Sequence, residues 1–171
     1  PLTLVLGPPR DAVGLTRVRV ATYQSASGAG SEAMERLRSE PSDGHDLRMD
    51  WSFDGVELDE EEKIRLETRK ILDEPDLPIS ANCVRVPVLV GHAEAVWIET
   101  DEAISPEEAE RILGDAPSVY LDEFPTPMKA AGADEVLVGR IRRDVADPEA
   151  LVLFLACDNL RKGAALNAIQ I

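Results

Sequence analysis

Three side chains from separate stretches of this chain could together bind and transform a small polar substrate. Gln24 ends an alternating strand pattern just before the turn Ser27-Gly-Ala-Gly30, where an amide could orient an acyl group and glycine allows close approach to the backbone. Arg85 carries a planar guanidinium that can hold a carboxylate through two parallel hydrogen bonds. His92 has an imidazole that can take or return a proton near pH 7.

Each of these residues also has an ordinary structural interpretation. Gln24 could satisfy backbone groups at a strand end, Arg85 could form an ion pair on an edge strand, and His92 could lie in a turn. Arg85 and His92 are seven residues apart, and an odd separation places two side chains on opposite faces of a regular strand. Pro87 and Gly91 could each mark a bulge or bend that returns His92 to the side of Arg85. Without further information, the sequence favours the structural interpretation.

Glu60 and Lys63 lie on one face at the start of a predicted helix. With Glu67 and Lys70 they form a series of i,i+3 and i,i+4 pairs, which is typical of a solvated helix face. Such pairs contribute only about 0.2–0.5 kcal/mol each. They therefore do not identify a site by themselves.

Charge and cysteine content narrow the class of protein. The chain has 33 acidic and 18 basic residues, a formal net charge of −15 at pH 7, which opposes nonspecific binding to nucleic acid or anionic membranes. No run of about 18 apolar residues indicates a membrane span. Cys83 and Cys157 are too few for a disulfide scaffold or a zinc cluster, so we expect a reducing cytoplasm, no metal centre, and thiols that serve in packing.

With 171 residues, of which 44% are apolar, the chain can bury one ordinary core, and we expect a single domain over 1–171. Strand and helix patterns interleave, and many connections are too short for parallel crossovers. This predicts an α+β fold with a mixed, largely antiparallel sheet packed against helices. Strands are predicted at 16–23, 47–53, 82–90, 93–100, 117–121, 135–143 and 151–156, and a turn at 40–45. Helices are predicted at 2–6, with a break at Gly7-Pro-Pro9 and an extension to 14 left open, at 30–39, from the acidic segment 54–62 to about 73, from Ser105 to 114, and from Asp158 or Asn159 to the end.

Four segments resemble the second half of bacterial aspartate-β-semialdehyde dehydrogenase. They are Ala21-Thr-Tyr-Gln-Ser-Ala-Ser-Gly-Ala-Gly30, Glu67-Thr-Arg-Lys-Ile-Leu72, Asn82-Cys-Val-Arg-Val-Pro-Val-Leu-Val-Gly-His92 and Cys157-Asp-Asn-Leu-Arg-Lys-Gly-Ala-Ala-Leu-Asn-Ala-Ile-Gln-Ile171. The resemblance covers nearly the whole chain. It implies a fold similar to the C-terminal domain of glyceraldehyde-3-phosphate dehydrogenase, which in this family binds substrate and forms the dimer interface.

The resemblance also implies roles for individual residues. Gln24 is expected to contact the covalent intermediate, Arg85 to bind the substrate carboxylate, and His92 to act as the acid–base catalyst. Glu60 and Lys63 are expected to bind the substrate amine and phosphate. The Asn82-Cys83 pair is similar to the nucleophile motif of the family, but that motif precedes the position of Pro1.

The implied activity is NADPH-dependent reductive dephosphorylation of β-aspartyl phosphate to aspartate semialdehyde, in the biosynthesis of aspartate-derived amino acids. Asn159 is expected near the nicotinamide, with Ser27 and Gly28 also on the cofactor side. Most of the NADP site would belong to an N-terminal nucleotide-binding domain absent from this chain. We therefore expect the chain alone neither to turn over substrate nor to bind NADP tightly, and to form a homodimer or a tetramer.

Two other functions stay open on the sequence alone. The chain could be a non-catalytic dimerisation module or a catalytically silent relative, although retention of Gln24, Arg85 and His92 disfavours a silent relative. It could also belong to a related enzyme that reduces N-acetylglutamyl phosphate by the same chemistry. The long matches around Gln24 and Asn159 disfavour that alternative.

Overall fold

Residues 1–39 and 51–162 are described by the structure, a computed structural model, and within them six strands form one mixed sheet. The strands are β1 (Arg17–Gln24), β2 (Ile79–Arg85), β3 (His92–Glu99), β4 (Val119–Leu121), β5 (Val136–Arg143) and β6 (Leu151–Cys157). Their order across the sheet is β2-β1-β3-β6-β5-β4. The β1–β2 and β4–β5 pairs are parallel, and the other three pairs are antiparallel. The predicted α+β fold with a mixed, largely antiparallel sheet is confirmed.

Helices cover one face of this sheet more fully than the other. The described helices are α1 (Leu2–Val13), α2 (Ser31–Ser39), α3 (Asp59–Leu72), α4 (Pro106–Gly114) and the one-turn α5 (Pro127–Ala130), with a 3-10 turn at Ala26–Ala29. α1, α3 and α4 bury the main apolar core against the sheet, whereas α5 joins a smaller cluster on the opposite face. α4 begins as its sequence predicts, because Ser105 Oγ accepts the Glu108 N–H at 3.1 Å. No described helix is long and apolar enough to cross a bilayer.

The row of side chains that faces α1, α3 and α4 changes from apolar to polar at one end of the sheet. This row is Val18, Val20, Thr22 and Gln24 on β1, Ile79, Ala81, Cys83 and Arg85 on β2, and Ile98, Val96, Glu94 and His92 on β3. Side chains alternate across a strand, so residues two apart share a face. The register pairs Gln24 with Arg85. It also pairs Thr22 with Cys83 on one side and with Glu94 on the other, so the polar ends lie side by side.

The predicted break at Gly7-Pro-Pro9 is wrong. α1 continues through both prolines, although a proline inside a helix costs about 3 kcal/mol through a lost hydrogen bond and a steric clash. Val5 and Leu6 are fully buried in the core beneath this helix. Burial of that face against the sheet offsets the local cost of the prolines. This burial depends on tertiary packing, so the local sequence does not predict it.

The connection between β2 and β3 also differs from its prediction. The strand predicted at 82–90 begins at Ile79 and ends at Arg85. Residues 86–91 then cross the end of β1, where backbone hydrogen bonds join them to 24–27. Arg85 and His92 therefore belong to different strands on either side of β1, and no bulge within a strand is needed. Gly91 makes the final turn with a φ of 97°.

Some predicted features fall on residues outside the described part of the chain. These are the turn at 40–45, most of the strand at 47–53, and the terminal helix beyond 162. At residue 53 the backbone makes only an isolated bridge, with Leu58. Asp158 does begin the last helical turn as predicted, because its Oδ1 accepts the Leu160 and Arg161 N–H groups at 2.9 and 3.3 Å.

Two glycine substitutions test the fold: Gly139→Ala tests the packing of β5, and Gly7→Ala tests the continuity of α1. A Cβ at Gly139 on β5 would lie 1.8 Å from the carbonyl oxygen of Asp122, whereas a Cβ at Gly7 in α1 would meet nothing within 4 Å. We expect Gly139→Ala to lower the free energy of unfolding by about 1–3 kcal/mol. Gly7→Ala should raise it by about 0.5–1 kcal/mol, because alanine loses less backbone freedom in a helix. Denaturant unfolding measures both, and a destabilising Gly7→Ala would contradict a continuous α1.

Candidate active site

A cleft of about 570 Å³ opens at the polar end of the sheet, bordered by α3 and by the first turn of α1. Segments far apart in the sequence contribute to its walls. Every residue that the sequence assigns to a site lines it: Gln24, Ser27, Gly28, Glu60, Lys63, Arg85, His92 and Asn159. The fold therefore brings the predicted substrate and cofactor residues to a common surface.

Gln24 is at the centre of a hydrogen-bonded group in this cleft. Its Nε2 donates to Glu60 Oε1 at 3.2 Å, and its Oε1 accepts a long hydrogen bond from Arg85 Nη1 at 3.5 Å. Glu60 also accepts from Lys63 Nζ at 3.3 Å. These contacts orient the amide, with its oxygen toward the guanidinium and its nitrogen toward the carboxylate.

Glu61 fixes the start of the helix that carries Glu60 against the edge of the sheet. Its carboxylate accepts two backbone hydrogen bonds at 2.8 Å, one from the Leu58 N–H before α3 and one from the Cys83 N–H on β2. Helix starts and edge strands both leave backbone donors without partners. One buried carboxylate satisfies a donor of each kind and joins α3 to β2.

The Arg85 guanidinium has a defined orientation. Its Nη1 donates to the carbonyl oxygen of Ser25 at 3.1 Å, and its Cζ lies 4.7 Å from the centroid of the Trp51 ring. A cation over an aromatic face is attracted by the ring, and a planar guanidinium stacks there in a way that an ammonium does not. The group therefore reaches the cleft in a fixed orientation.

His92 is an uncharged hydrogen-bond donor in this environment. Its Nδ1 lies 3.1 Å from both the backbone nitrogen and the hydroxyl of Ser25. A backbone N–H can only donate, so Nδ1 accepts and the neutral ring carries its proton on Nε2. Burial, with a smaller contribution from the positive charge of Arg85, lowers the pKa of His92 to about 4.

Gly28 leaves the space in which these two groups approach each other. A Cβ there would lie 2.6 Å from Arg85 Nη1 and 3.2 Å from His92 Nε2. A side chain at this position would shift the guanidinium and crowd the imidazole. Glycine therefore preserves the close approach of these functional side chains.

Asn159 holds together the loops that carry these residues. Its Oδ1 accepts from the hydroxyls of Ser25 and Ser27 at 3.1 and 3.0 Å, and from the Gly91 N–H at 3.0 Å. One amide oxygen thus links the turn after β1 to the residue before His92. The Asn159 Nδ2 group makes no hydrogen bond within residues 1–39 and 51–162, and it remains a donor at the wall of the cleft.

Both cysteines are buried, as predicted. Burial is the main cause that raises the pKa of Cys83 to about 11 and that of Cys157 to about 12. Cys157 nevertheless borders the cleft, next to His92 in the β3–β6 register. Since the thiolate is the reactive form, neither residue is prepared to act as a nucleophile at neutral pH.

Comparison with known proteins identifies the family of this chain. Residues 6–162 match the family model described as the dimerisation domain of semialdehyde dehydrogenase. The chain belongs to this family. The aspartate-semialdehyde dehydrogenases of Corynebacterium glutamicum and Aquifex aeolicus are 42% and 39% identical to it over 98% and 99% of the chain. The matched region is 58% and 57% of those proteins, so the chain spans less than two thirds of their length.

Solved structures show the same relationship, and the resemblance inferred from the sequence is confirmed. Aspartate semialdehyde dehydrogenase II from Vibrio cholerae, complexed with ASA, superposes with a TM-score of 0.92 at 36% identity, over 99% of this chain and 57% of that one. The enzyme from Candida albicans, solved with NADP, has a TM-score of 0.71 at 24% identity, over 96% and 51% of the two chains. At that identity the second comparison shows the shared fold alone.

Sequence reasoning missed two residues that line this cleft. Trp51 stacks on Arg85, and Glu94 is the second of these residues. Ser25, which the sequence groups with Gln24 and Ser27 as polar residues of one turn, makes the ring contacts of His92. The contact of Trp51 has no local signature. Glu94 follows His92 by two residues, and strand alternation could have placed it on the same face.

The protonation state of His92 gives a direct test. With the pKa near 4, its ring proton signals should keep the shifts of the neutral form from pH 8 down to about pH 5 in a two-dimensional NMR titration. The chain has two histidines. The ring signals that are absent from the spectrum of His92→Gln belong to His92. The unfolded chain binds this proton first, because its pKa is about 6.5. The free energy of unfolding that His92 contributes above pH 6.5 is therefore lost as the pH falls toward 4. An NMR titration midpoint near pH 6.5 for His92 would contradict this geometry.

Proposed function

We propose that this chain is the substrate-binding and dimerisation part of an aspartate-semialdehyde dehydrogenase, which reductively dephosphorylates β-aspartyl phosphate to aspartate semialdehyde with NADPH. The observation that carries the proposal is the arrangement of Gln24, Arg85 and His92 around a single cleft. Relatives that share 39–43% identity with nearly the whole chain have this name.

The charged residues bind the ends of the substrate. Arg85 holds the substrate carboxylate through its planar donors. Glu60 accepts a hydrogen bond from the substrate amine, and Lys63 contacts the phosphate. The Lys63 side chain is 56% exposed, so it can leave Glu60 and reach an incoming anion. The Glu60–Lys63 pair, which resembles an ordinary surface pair in the sequence, is placed at the cleft by α3.

The uncharged residues act at the reacting carbonyl group. Gln24 orients the acyl group through its amide, which Arg85 and Glu60 hold in position. His92 presents its Nε2–H beside Gly28 and donates a hydrogen bond from that atom to the reacting carbonyl oxygen, where negative charge develops. Because the imidazole is neutral, it adds no positive charge and can donate this hydrogen bond without first being protonated.

The nucleophilic thiol and most of the nucleotide site are proposed to lie outside these 171 residues. The raised pKa of Cys83 and of Cys157 supports this, since neither thiol ionises at neutral pH. The first residues of α1 line the cleft. A thiol placed at the start of that helix would be next to the substrate and near the positive end of the helix dipole.

Asn159, Ser27 and Gly28 fit the cofactor side of such a site. The Asn159 oxygen is used by the loops, and its Nδ2 group is left as a donor that suits the carboxamide of a nicotinamide. NADPH would supply the hydride when bound. Gly28 keeps the adjacent wall free of a side chain.

A chimera tests the proposed activity. Residues 1–171 would replace the matching segment of the Corynebacterium glutamicum enzyme, and phosphate-dependent oxidation of aspartate semialdehyde would be followed by NADPH absorbance. We expect turnover by the chimera and none by the 171-residue chain alone. Arg85→Lys should lower kcat/KM by about 10- to 100-fold, because hydrogen bonds between charged groups contribute about 1.5–3 kcal/mol.

Arg111→Lys is the matched control. Arg111 pairs with Glu108 and Asp115 on the surface of α4, so this change should leave kcat/KM within about two-fold, as expected for exposed pairs. A folded chimera without activity, or turnover by the chain alone, would refute the proposal. A non-catalytic dimerisation module would give the first of these results.

The dimer interface is proposed to be the sheet face opposite α1, α3 and α4. Ala21, Ala95, Trp97 and Phe154 lie on this face and are only partly buried. A second copy of the chain would cover it, which agrees with the family description as a dimerisation domain. Such a face would otherwise expose apolar side chains to water.

Trp97→Arg should therefore convert a homodimer to a monomer, because a charge would be buried at the interface without a partner. Light scattering after size-exclusion chromatography measures the mass directly. Val145→Arg is the control, since Val145 is fully exposed. A Trp97→Arg variant that remains dimeric would place the interface elsewhere.

A further inference from the structure

Glu94 is a buried carboxyl group that the roles proposed above do not use. It follows His92 by two residues on β3, and both side chains line the cleft. Glu94 is 7% exposed, and its Oε2 atom is buried without a hydrogen-bond partner among the described residues. Native proteins rarely leave a buried polar atom unpaired, so this atom points to a missing partner.

The surroundings of Glu94 do not provide an ion pair within residues 1–39 and 51–162. On its own sheet, Thr22 and Leu155 are its register partners. The ionisable side chains on the elements around it are His92 on β3, the Cys83 thiol and Arg85 on β2, the Cys157 thiol on β6, and Glu60, Glu61, Lys63 and Glu67 on α3. Removal from water raises the pKa of Glu94.

A carboxyl group in this position is stable in one of two forms. An ionised group would need a cation or several donors, because an isolated buried charge carries a large desolvation penalty. A protonated group needs only an acceptor for its single O–H. The absence of any donor to Oε2 from the described residues favours the protonated form.

We propose that Glu94 is a further substrate-binding residue, a carboxylic acid that keeps its proton at neutral pH and donates it to an oxygen of the bound substrate. The inference rests on the proposed function for the class of that oxygen, which is an acyl or a phosphoryl oxygen. The retained proton has a second consequence. It keeps an additional negative charge out of a cleft that must admit anions into a protein with a net charge of −15.

The first experiment asks whether Glu94 is protonated, and it requires no ligand. Wild type and Glu94→Gln are compared by thermal unfolding from pH 5 to pH 8. In the unfolded chain the Glu94 carboxyl ionises above its ordinary pKa, whereas the folded chain retains the proton, so wild-type stability falls as the pH rises. The glutamine variant lacks this loss. Its Tm should exceed that of wild type by about 2–4 °C or more at pH 8, and this difference should shrink toward pH 5.

Glu99→Gln is the matched control on the same strand. Glu99 pairs with Arg17 and Arg19 outside the cleft. Because Glu99 has these ion-pair partners and is not enclosed in the cleft, the Tm difference from wild type should not grow with pH. A Glu94→Gln difference that is independent of pH would show that Glu94 is ionised and would overturn the proposal.

The second experiment measures binding of inorganic phosphate and of aspartate semialdehyde by calorimetry at pH 7. Glu94→Gln keeps a neutral donor and should bind within about three-fold of wild type, whereas Glu94→Leu should lose about ten-fold, as expected for one hydrogen bond. Loss with phosphate alone would assign a phosphoryl oxygen. Loss with the semialdehyde alone would assign the acyl oxygen.

The possible failures can be told apart. If Glu94→Leu binds both probes as tightly as wild type, the donor role is overturned while the proposed function stands. If wild type binds neither probe and the pH-dependent Tm difference persists, the substrate assignment fails together with the proposed function. Retention of binding by Glu94→Gln, but not by Glu94→Leu, is a result that a purely structural role would not produce.

Discussion

Side chains alternate between the two faces of a strand, and the candidate site depends on this rule. In β1, β2 and β3 the row of side chains that faces the helices ends in Gln24, Arg85 and His92. The register places these residues together at one end of the sheet. A shift by one residue in any of these strands would turn its functional side chain to the opposite face. The apolar half of the same rows is buried by α1, α3 and α4, so core packing and site assembly are enforced by the same register.

Backbone contacts then set the distances within the cleft. The crossing of residues 86–91 over the end of β1 is fastened by hydrogen bonds to 24–27, and Asn159 Oδ1 links the same turn to Gly91. Gly28 permits Arg85 and His92 to approach. Glu61 holds α3 to β2 by satisfying one backbone donor from each. These contacts place the functional groups before any ligand arrives, which lowers the entropy that binding must remove.

The charge state of the cleft follows from its partial burial. The net charge of −15 belongs mainly to the surface, where water and salt screen it. Inside the cleft, removal from water keeps His92 neutral and favours the protonated form of Glu94, while both thiols hold their protons. The charged side chains that line the cleft include Arg85, which stacks over Trp51, and Glu60, which pairs with Lys63. An acidic protein can thus present a cleft suited to an anion.

The sequence by itself determined the class of fold, most strands, the Ser105 cap and the residues at the cleft, because alternation, capping and motif resemblance are local patterns. It predicted a break in α1 that the structure does not have, since the burial that offsets the cost of Pro8 and Pro9 is a tertiary effect. Only the tertiary structure decided that Arg85 and His92 flank β1 on separate strands and that Trp51 stacks on the guanidinium. It also decided that Glu94 Oε2 is buried without a hydrogen-bond partner in the part of the chain that the structure describes. Spatial proximity between distant segments and loss of solvent arise only when the chain is folded, so no local pattern encodes them.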